Sequence, residues 1–192
     1  WKSYLRYQVL QSWATSLPAR FEDERFAFYG KALRGQKAQQ ERWKRGMDLL
    51  DGVLGEAIGQ VYVAKHFPPS AKADVLGMVA VFKRALGQRI QDAKWMSAST
   101  KTEAMAKLNA FGAKIGYPDQ WRDYSTMSVS RDDLVANMRQ ATEWQYRFDL
   151  AKLGKPVDRS EWFMTPQTNN AYYSPQLNEI VFPAGILQPP YY

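Results

Sequence analysis

The chain has 192 residues, 45% hydrophobic and 23% charged, which is the composition of a folded domain and excludes a disordered or fibrous chain. It has no cysteine, which excludes a disulfide framework and a cysteine-ligated zinc site. The net charge of +7 arises from 26 basic residues spread among 19 acidic ones without a dense block, which favours a solvated basic surface over nucleic-acid binding.

The first two thirds of the chain carry the periodicity of helices. Tyr4 to Trp13 and Arg25 to Leu33 are each predicted to be helical. Apolar residues then recur every three or four positions from about Gln40 to His66, which predicts a long helix. Four glycines lie inside this helix, and each costs up to about 1 kcal/mol relative to alanine, so we expect them to permit close packing against a neighbouring helix. These glycines are Gly46, Gly52, Gly55 and Gly59.

Two prolines end the long helix, and a second long helix is predicted directly after them. Pro68 and Pro69 cannot lie in a helix interior, and the hydroxyl of Ser70 can serve as an N-cap. The apolar stripe of this second helix runs from Val75 to Ile90. Because the connection is short, we expect the two long helices to lie antiparallel.

Capping residues indicate two more helices. Thr100 and Glu103 have the spacing of a capping box, so their side chains can satisfy the first free amides of a helix that ends near Gly116. Ser130 with Asp133 gives the same kind of signal for a helix of about 20 residues. The predicted fold class is therefore mainly α.

The character of the sequence changes after Ser160. The stretches AYYS and NEIVF are short, rich in β-branched and aromatic residues, and separated by a turn, which predicts a β-hairpin. We therefore expect a multi-helix part over residues 1–160 and the entry into a second domain over residues 161–192. An exposed edge strand containing IVF could pair with a copy of itself.

The sequence before this C-terminal part contains no recognisable catalytic apparatus. His66 is the one histidine, and its place at a helix end favours a structural role over metal binding. There is no phosphate-binding glycine loop, no Gly-x-Ser-x-Gly elbow and no cysteine nucleophile. From the residues alone, a non-catalytic helical module that binds a peptide or an anionic partner remains an open alternative.

The C-terminal sequence NAYYSPQLNEIVFPAGILQPPYY resembles a segment of the neprilysin-like zinc metallopeptidases, which include neprilysin, the endothelin-converting enzymes and bacterial oligopeptidases. Three other segments resemble the same family in the same order, so the likeness covers nearly the whole chain. They are FAFYGKALRGQKAQQERWKRGMDLLDGVLGEAIGQVYVAKHFP, WMSASTKTEAMAKLNAFGAKIGYPD and EWFMTPQTNNAYY.

The resemblance implies a fragment of a zinc-dependent endopeptidase that hydrolyses short peptides inside a chamber. Residues 1–160 would form the C-terminal part of the helical, substrate-restricting domain, and residues 161–192 the start of a thermolysin-like catalytic domain. The family's His-Glu-x-x-His motif is absent from this chain, so we expect the chain alone to be inactive and to bind no zinc. In the parent protein, zinc would be the cofactor, an oligopeptide the substrate, and the remainder of the catalytic domain a partner of this chain.

The resemblance also implies four substrate-binding residues near the end of the chain. Asn170 and Ala171 correspond to an Asn-Ala pair on an edge strand that hydrogen-bonds the backbone of the bound peptide, which gives affinity independent of sequence. Ile186 and Tyr191 correspond to residues that line the pocket for the side chain just after the cleaved bond. Asn169 stands where the family usually has valine, and Tyr191 where phenylalanine is expected.

The remaining expectations concern partners and location. We expect no nucleic-acid partner, and no apolar run approaches the roughly 18 to 20 residues that a membrane span needs. The N-terminal sequence lacks the apolar block of a signal peptide, so no targeting signal is expected in this chain. The absence of cysteine favours a bacterial member of the family, because the animal members carry several disulfides. We expect that bacterial protein to be extracytoplasmic, either periplasmic or secreted.

Overall fold

The computed structural model describes all 192 residues and contains six α-helices and a three-stranded sheet, which confirms the mainly α prediction. A 3-10 turn follows the first helix at Ala14–Ser16, and a π-helical segment follows the second at Phe26–Ala32. No helix is both long and apolar enough to cross a membrane. The helices are α1 (Lys2–Trp13), α2 (Ala19–Arg25), α3 (Arg42–His66), α4 (Pro69–Asp92), α5 (Ala98–Asn109) and α6 (Leu134–Leu150). The strands are β1 (Gly112–Gly116), β2 (Tyr172–Ser174) and β3 (Glu179–Pro183).

The chain forms two compact units, each built from two stretches of sequence. The first unit comprises Trp1–Leu54 and Asp123–Pro156, and the second comprises Gly55–Arg122 and Val157–Tyr192. These units do not follow the predicted division at residue 160, because β1 pairs with β3 and so joins residues from both sides of that position. The assignment of residues 1–160 and 161–192 to two domains of a parent protein stays a prediction.

Polar contacts link the helices of the first unit. The hydroxyl oxygens of Tyr7 on α1 and Tyr29 in the π-helical segment are 2.8 Å apart. Arg45 on α3 forms an ion pair with Glu22 on α2. No residue of α1 or α2 is fully buried, so these polar contacts contribute to fixing the helices relative to one another.

The long helix α3 is interrupted near its middle, and its glycines differ in their surroundings. Leu54 has φ −130° and ψ 28°, which is not helical. A Cβ atom at Gly46 or Gly52 would meet nothing within 4 Å. The prediction of close packing is therefore wrong at these two glycines. A Cβ atom at Gly59 would lie 2.8 Å from Cδ of Pro166. Close packing is thus found at Gly59, and its partner is a loop rather than a helix.

The helix α4 differs from its prediction in both its start and its packing. Pro69 is the first residue of the helix, where the N–H that proline lacks would have no partner within the helix. The N-cap position is therefore Pro68 and not Ser70. The helix packs mainly on α5 and β1 rather than antiparallel along α3. Within the predicted apolar stripe, Val75 is 5% exposed, whereas Met78 and Phe82 are 53% and 60% exposed. Only part of that stripe therefore contributes to the core.

The caps of α5 and α6 also differ from prediction. Ser97 caps α5, because its Oγ accepts the N–H of Thr100 at 3.1 Å, and Thr100 itself lies within the helix. Asp133 caps α6, because its carboxylate accepts the N–H of Ala136 at 2.8 Å. The signal at Ser130 therefore belongs to the loop before α6.

The sheet lies in the second unit and has the strand order β1-β3-β2. The predicted hairpin is confirmed, since β2 and β3 are antiparallel with Tyr172 opposite Val181. β1 pairs in parallel with β3 and sets Lys114 opposite the same valine. The helix predicted to run to Gly116 instead ends at Asn109, and the residues after it form β1. The IVF sequence is consequently in the central strand, so the expectation of an exposed edge there is wrong.

The core of the second unit lies where the end of β1 meets the start of α4. Phe67, Ala71 and Ala184 form a buried cluster, and their exposed fractions are 2%, 7% and 0%. Gly116 has φ +78°, and a Cβ atom there would lie 2.4 Å from the Phe67 ring, so both backbone and packing require glycine. The N–H of Ala184 donates to the carbonyl of Gly116 at 2.8 Å and extends the contact between β1 and the β3 chain beyond the strand ends.

Substitution of Gly185 by alanine is expected to destabilise the chain by about 1–3 kcal/mol, because overpacking against rigid backbone is not relieved by a side-chain rotation. A Cβ atom at Gly185 would lie 2.4 Å from the carbonyl oxygen of Gln167. Gly77→Ala is the matched control, since this glycine lies inside α4 with nothing within 4 Å of the added atom. Urea unfolding should show a loss for G185A and a gain of about 0.5–1 kcal/mol for G77A. Equal stabilities of the two variants would contradict the close contact between Gly185 and the backbone of Gln167.

Candidate functional site

The predicted backbone-binding pair lies at the start of the outer strand β2. Asn170 and Ala171 directly precede β2, which has β3 on one side only. The register that sets Tyr172 opposite Val181 brings Asn170 to the level of Pro183 at the end of β3. Asn170 is exposed, and its Oδ1 accepts the N–H of Ala171 at 2.8 Å, which orients the side chain.

The two predicted pocket residues differ in their surroundings. Ile186 is half-buried in the turn after β3, where its N–H donates to the carbonyl of Pro183 at 3.3 Å, so it lies at the same end of the hairpin as Asn170. Tyr191 is 75% exposed, and its N–H donates to the carbonyl of Gln188 at 2.9 Å. The structure thus brings three of the four predicted residues to one end of the hairpin, and the Tyr191 side chain makes no hydrogen bond or ring contact with them.

A buried ion pair connects β1 with β3. Nζ of Lys114 lies 2.7 Å from Oε1 of Glu179 and also donates to the main-chain carbonyl of Glu161 at 2.8 Å. The two side chains of the pair are 13% and 7% exposed. A charge buried to this degree is tolerated only when it is paired, so each of these two groups requires the other.

Arg122 lies between two carboxylates, one on α3 and one on the residue whose carbonyl binds Lys114. Its Nε lies 2.9 Å from Oε1 of Glu56 on α3, and its main-chain N–H donates to the other oxygen of that carboxylate at 2.9 Å. Nη2 of Arg122 lies 3.4 Å from Oε1 of Glu161. Arg122 therefore pairs with the carboxylates of Glu56 and Glu161, whereas Lys114 pairs with the carboxylate of Glu179 and binds Glu161 through its main-chain carbonyl. Together these contacts fix the segment at residue 161 to the sheet.

Residues 161–163 cross one face of the sheet from β1 to β2. Lys114 and Tyr172 both lie opposite Val181, and residues paired across strands project to the same face. The carbonyl of Glu161 binds Lys114, whereas the N–H of Phe163 donates to the Tyr172 hydroxyl at 3.1 Å. The aromatic ring of Phe163 therefore lies beside the outer strand.

The environment of the Tyr172 hydroxyl raises the pKa of this side chain above its ordinary value of 10.0. Burial is the main cause, and the hydrogen bond from the N–H of Phe163 acts in the opposite direction because it stabilises the phenolate. The carboxylates of Glu179 and Glu161 raise the pKa further by repelling a negative charge.

Tyr173 lies on the opposite face of the sheet. Its ring stacks on Phe111 with centroids 6.4 Å apart, and its hydroxyl donates to Oδ1 of Asn178 at 3.1 Å. The Asn178 side chain in turn donates to the carbonyl of Lys107 at 2.9 Å. Both faces of the sheet at β2 thus carry an aromatic side chain.

No pattern in the sequence predicted a role for Lys114, Glu161, Glu179 or Phe163. The ion-paired residues are separated by 65 positions in the case of Lys114 and Glu179, and no local pattern marks such partners. The one available signal was the Glu-Trp-Phe sequence at residues 161–163, within a segment that the family resemblance had already singled out.

The first unit contains an open cleft of about 1480 Å³ that none of the four predicted residues lines. Its wall carries five basic and three acidic side chains, so it presents no single sign of charge to a partner. They are Arg25, Arg34, Lys37, Arg42 and Arg45 against Glu22, Asp23 and Asp48. The cleft therefore gives no support to the alternative of an anion-binding module.

The residues of this chain do not fit a zinc site. No three His, Cys, Asp or Glu side chains come together in a group that could hold a metal ion. The single histidine, His66, ends α3 with its ring centroid 5.1 Å from that of Tyr62, and no second imidazole exists to share a metal.

Comparisons with known proteins agree over the whole chain. Two models of peptidase family M13 match, an N-terminal one over residues 1–118 and a catalytic one over residues 170–192. Neprilysin-11 of Caenorhabditis elegans is 35% identical over 99% of this chain and 23% of its own length. The neutral endopeptidase of Lactobacillus helveticus is 36% identical over 100% of this chain and 30% of its own length. The solved structure of Mycobacterium tuberculosis zinc metalloprotease ZMP1 in complex with inhibitor is 46% identical, with a TM-score of 0.90 over 99% of this chain and 28% of that one.

These relatives define a class of neprilysin-like metallopeptidases in which a helical part leads into a catalytic part. The chain belongs to peptidase family M13, whose members are zinc metallopeptidases. It spans between 23% and 30% of the length of the relatives named above.

Removal of the Lys114 ammonium group is expected to destabilise the chain by about 3 kcal/mol or more, because Glu179 would keep a buried charge without its partner. Lys114→Met retains most of the packing volume and removes the charge. Lys94→Met at an exposed position is the control. In urea unfolding, the double variant K114M/E179L should recover much of the loss, whereas an unchanged stability of K114M would contradict the importance of the pair.

The raised pKa of Tyr172 predicts an alkaline loss of stability. The pKa of Tyr172 in the folded chain lies above 10.0, the value expected in the unfolded chain. Between these two pKa values the folded chain binds a proton that the unfolded chain has lost, so the free energy of unfolding falls as pH rises through that window. Tyr172→Phe has no phenol to titrate, so this loss is absent from the variant. The variant should be less stable than the wild-type chain at neutral pH, and the difference between the two should narrow above about pH 10. Urea unfolding across pH measures the difference, with Tyr146→Phe on α6 as the control for loss of an exposed phenol. A deficit that stays constant with pH would contradict the assignment.

Proposed function

We propose that this chain is part of a longer zinc-dependent endopeptidase that hydrolyses short peptides. The family membership supports a peptidase, and the relatives' greater length supports a parent protein of which this chain is about a quarter. The helical residues up to about 160 would contribute to the wall of a substrate chamber, and residues 161–192 would begin the catalytic domain. The zinc ion and the His-Glu-x-x-His motif would come from residues outside this chain, which on its own would be inactive.

The observation that carries the proposal is the unpaired edge of β2. The strand order β1-β3-β2 leaves one side of β2 without a neighbouring strand. An extended peptide can add to such an edge through main-chain hydrogen bonds, whatever its side chains. Asn170 and Ala171 lead into this edge and are exposed and half-buried respectively, so we assign them to docking of the substrate backbone. The role of Asn170 is to add its side-chain donor and acceptor to those of the main chain.

Ile186 and Tyr191 are proposed to line the pocket for the side chain that follows the cleaved bond. Ile186 is supported by its place at the same end of the hairpin as Asn170. Tyr191 is supported by its exposure of 75%, which leaves its ring available to the rest of a catalytic domain. A pocket with these two side chains would favour large apolar residues and would offer one hydroxyl.

The proposed partners are an oligopeptide substrate and the remainder of the catalytic domain. We place the parent protein outside the cytoplasm of a bacterium, in the periplasm or secreted. The absence of cysteine supports the bacterial source, since the animal members of the family carry disulfides. Zinc is the proposed cofactor of the parent protein.

The test is peptide hydrolysis by the full-length protein that contains this chain. Asn170→Ala should lower kcat/KM about tenfold or more on every peptide, because it removes the hydrogen bonds of the Asn170 side chain to the peptide backbone, worth about 1.4 kcal/mol in total, and every peptide has that backbone. Asn169→Ala is the matched control, since the neighbouring asparagine is also exposed. A zinc chelator should abolish hydrolysis. Equal effects of N170A and N169A would overturn the docking role, and an absence of hydrolysis in the wild-type protein would overturn the function.

A further inference from the structure

Phe163 is an exposed aromatic residue held in a fixed position beside the outer strand of the sheet. Its side chain is 64% exposed, although the adjacent Trp162 is 6% exposed. Its ring centroid lies 6.1 Å from that of Tyr172, the first residue of β2, and its N–H donates to the Tyr172 hydroxyl at 3.1 Å. The two rings therefore lie next to each other at the start of the outer strand.

The contacts that fix Phe163 come from the residues before it. The carbonyl of Glu161 accepts the Lys114 ammonium group at 2.8 Å, and its carboxylate lies 3.4 Å from Arg122. Trp162 is buried, and Val181 in the central strand is fully buried on the face that residues 161–163 cross. The segment is thus anchored at both Lys114 and Trp162, and the next side chain, Phe163, is exposed beside β2.

A peptide added to β2 as a further strand would place alternate side chains on the two faces of the sheet. On one face they would meet Phe163, and on the other Tyr173, which is 43% exposed and stacked on Phe111. The docking bonds of Asn170 involve the peptide backbone and distinguish no sequences. Side-chain preference must therefore come from groups such as these aromatic rings.

We propose that Phe163 is a specificity-determining residue, whose ring packs against an apolar or aromatic side chain of the docked peptide. The contact favours such a side chain because it removes apolar surface of both partners from water, and an aromatic pair gains further from edge or stacked geometry. The inference rests on the proposed function, since it takes the peptide to lie along β2.

The experiment uses the full-length protein and a peptide series in which each position in turn carries leucine or serine. Phe163→Ala is expected to reduce the leucine-over-serine preference in kcat/KM about 3- to 10-fold, chiefly through KM. The effect should appear at one position, or at positions two apart, because those side chains share a face. Phe163→Leu should keep most of the preference. Phe82→Ala, which removes a ring of 60% exposure from α4, is the matched control and should leave the leucine-over-serine preference unchanged.

The outcomes separate a specificity role from a structural one. An equal loss on all peptides by both F163A and F163L, accompanied by a lower unfolding temperature, would show a structural residue and overturn the inference. Unchanged preferences at every position would overturn it as well. If N170A loses activity on all peptides while F163A keeps every preference, this inference alone fails. If the wild-type protein cleaves no peptide, or N170A has no effect, the proposed function fails with it.

Discussion

The buried ammonium group of Lys114 determines how the second unit is assembled. It neutralises Glu179 of the central strand and binds the carbonyl of Glu161, so one side chain on β1 joins a strand and a loop that lie far along the chain. Removing a charge from water costs several kcal/mol, and only close partners compensate for it. The position of the loop is therefore tied to Lys114, because a displaced loop would take away the carbonyl that accepts a hydrogen bond from the buried ammonium group.

The same loop connects the buried ion pair with the surface that we assign to substrate binding. Trp162 is buried and Phe163 is exposed, so a single step along the chain leads from the core to the outer strand. The β2 edge provides main-chain donors and acceptors, whereas the neighbouring rings provide apolar surface. Main-chain atoms would thus bind any peptide, and aromatic side chains would select among peptides. Because different atoms serve the two purposes, the selecting side chains could vary among relatives while the backbone binding is kept.

The features that the sequence predicted correctly are those with a local cause. The β-hairpin followed from the alternation and turn of residues 172–183, and α3 from the recurrence of apolar residues. The strand β1 was missed because GAKIG is short and gains its strand character from pairing with β3. The docking pair Asn170 and Ala171 came from a family resemblance, whereas the exposed ring of Phe163 depends on a burial pattern that only the folded chain reveals.

The central place of β3 has a consequence for the order in which the unit can be completed during synthesis. The ribosome releases β1 and Lys114 well before the two partners of this lysine, because the carbonyl of Glu161 and the carboxylate of Glu179 lie 47 and 65 positions later. Until then, the nascent β1 has neither its neighbouring strand nor its counter-charge. Water must therefore solvate the lysine of the emerging chain, and its dehydration is deferred until residues 161–183 have left the exit tunnel.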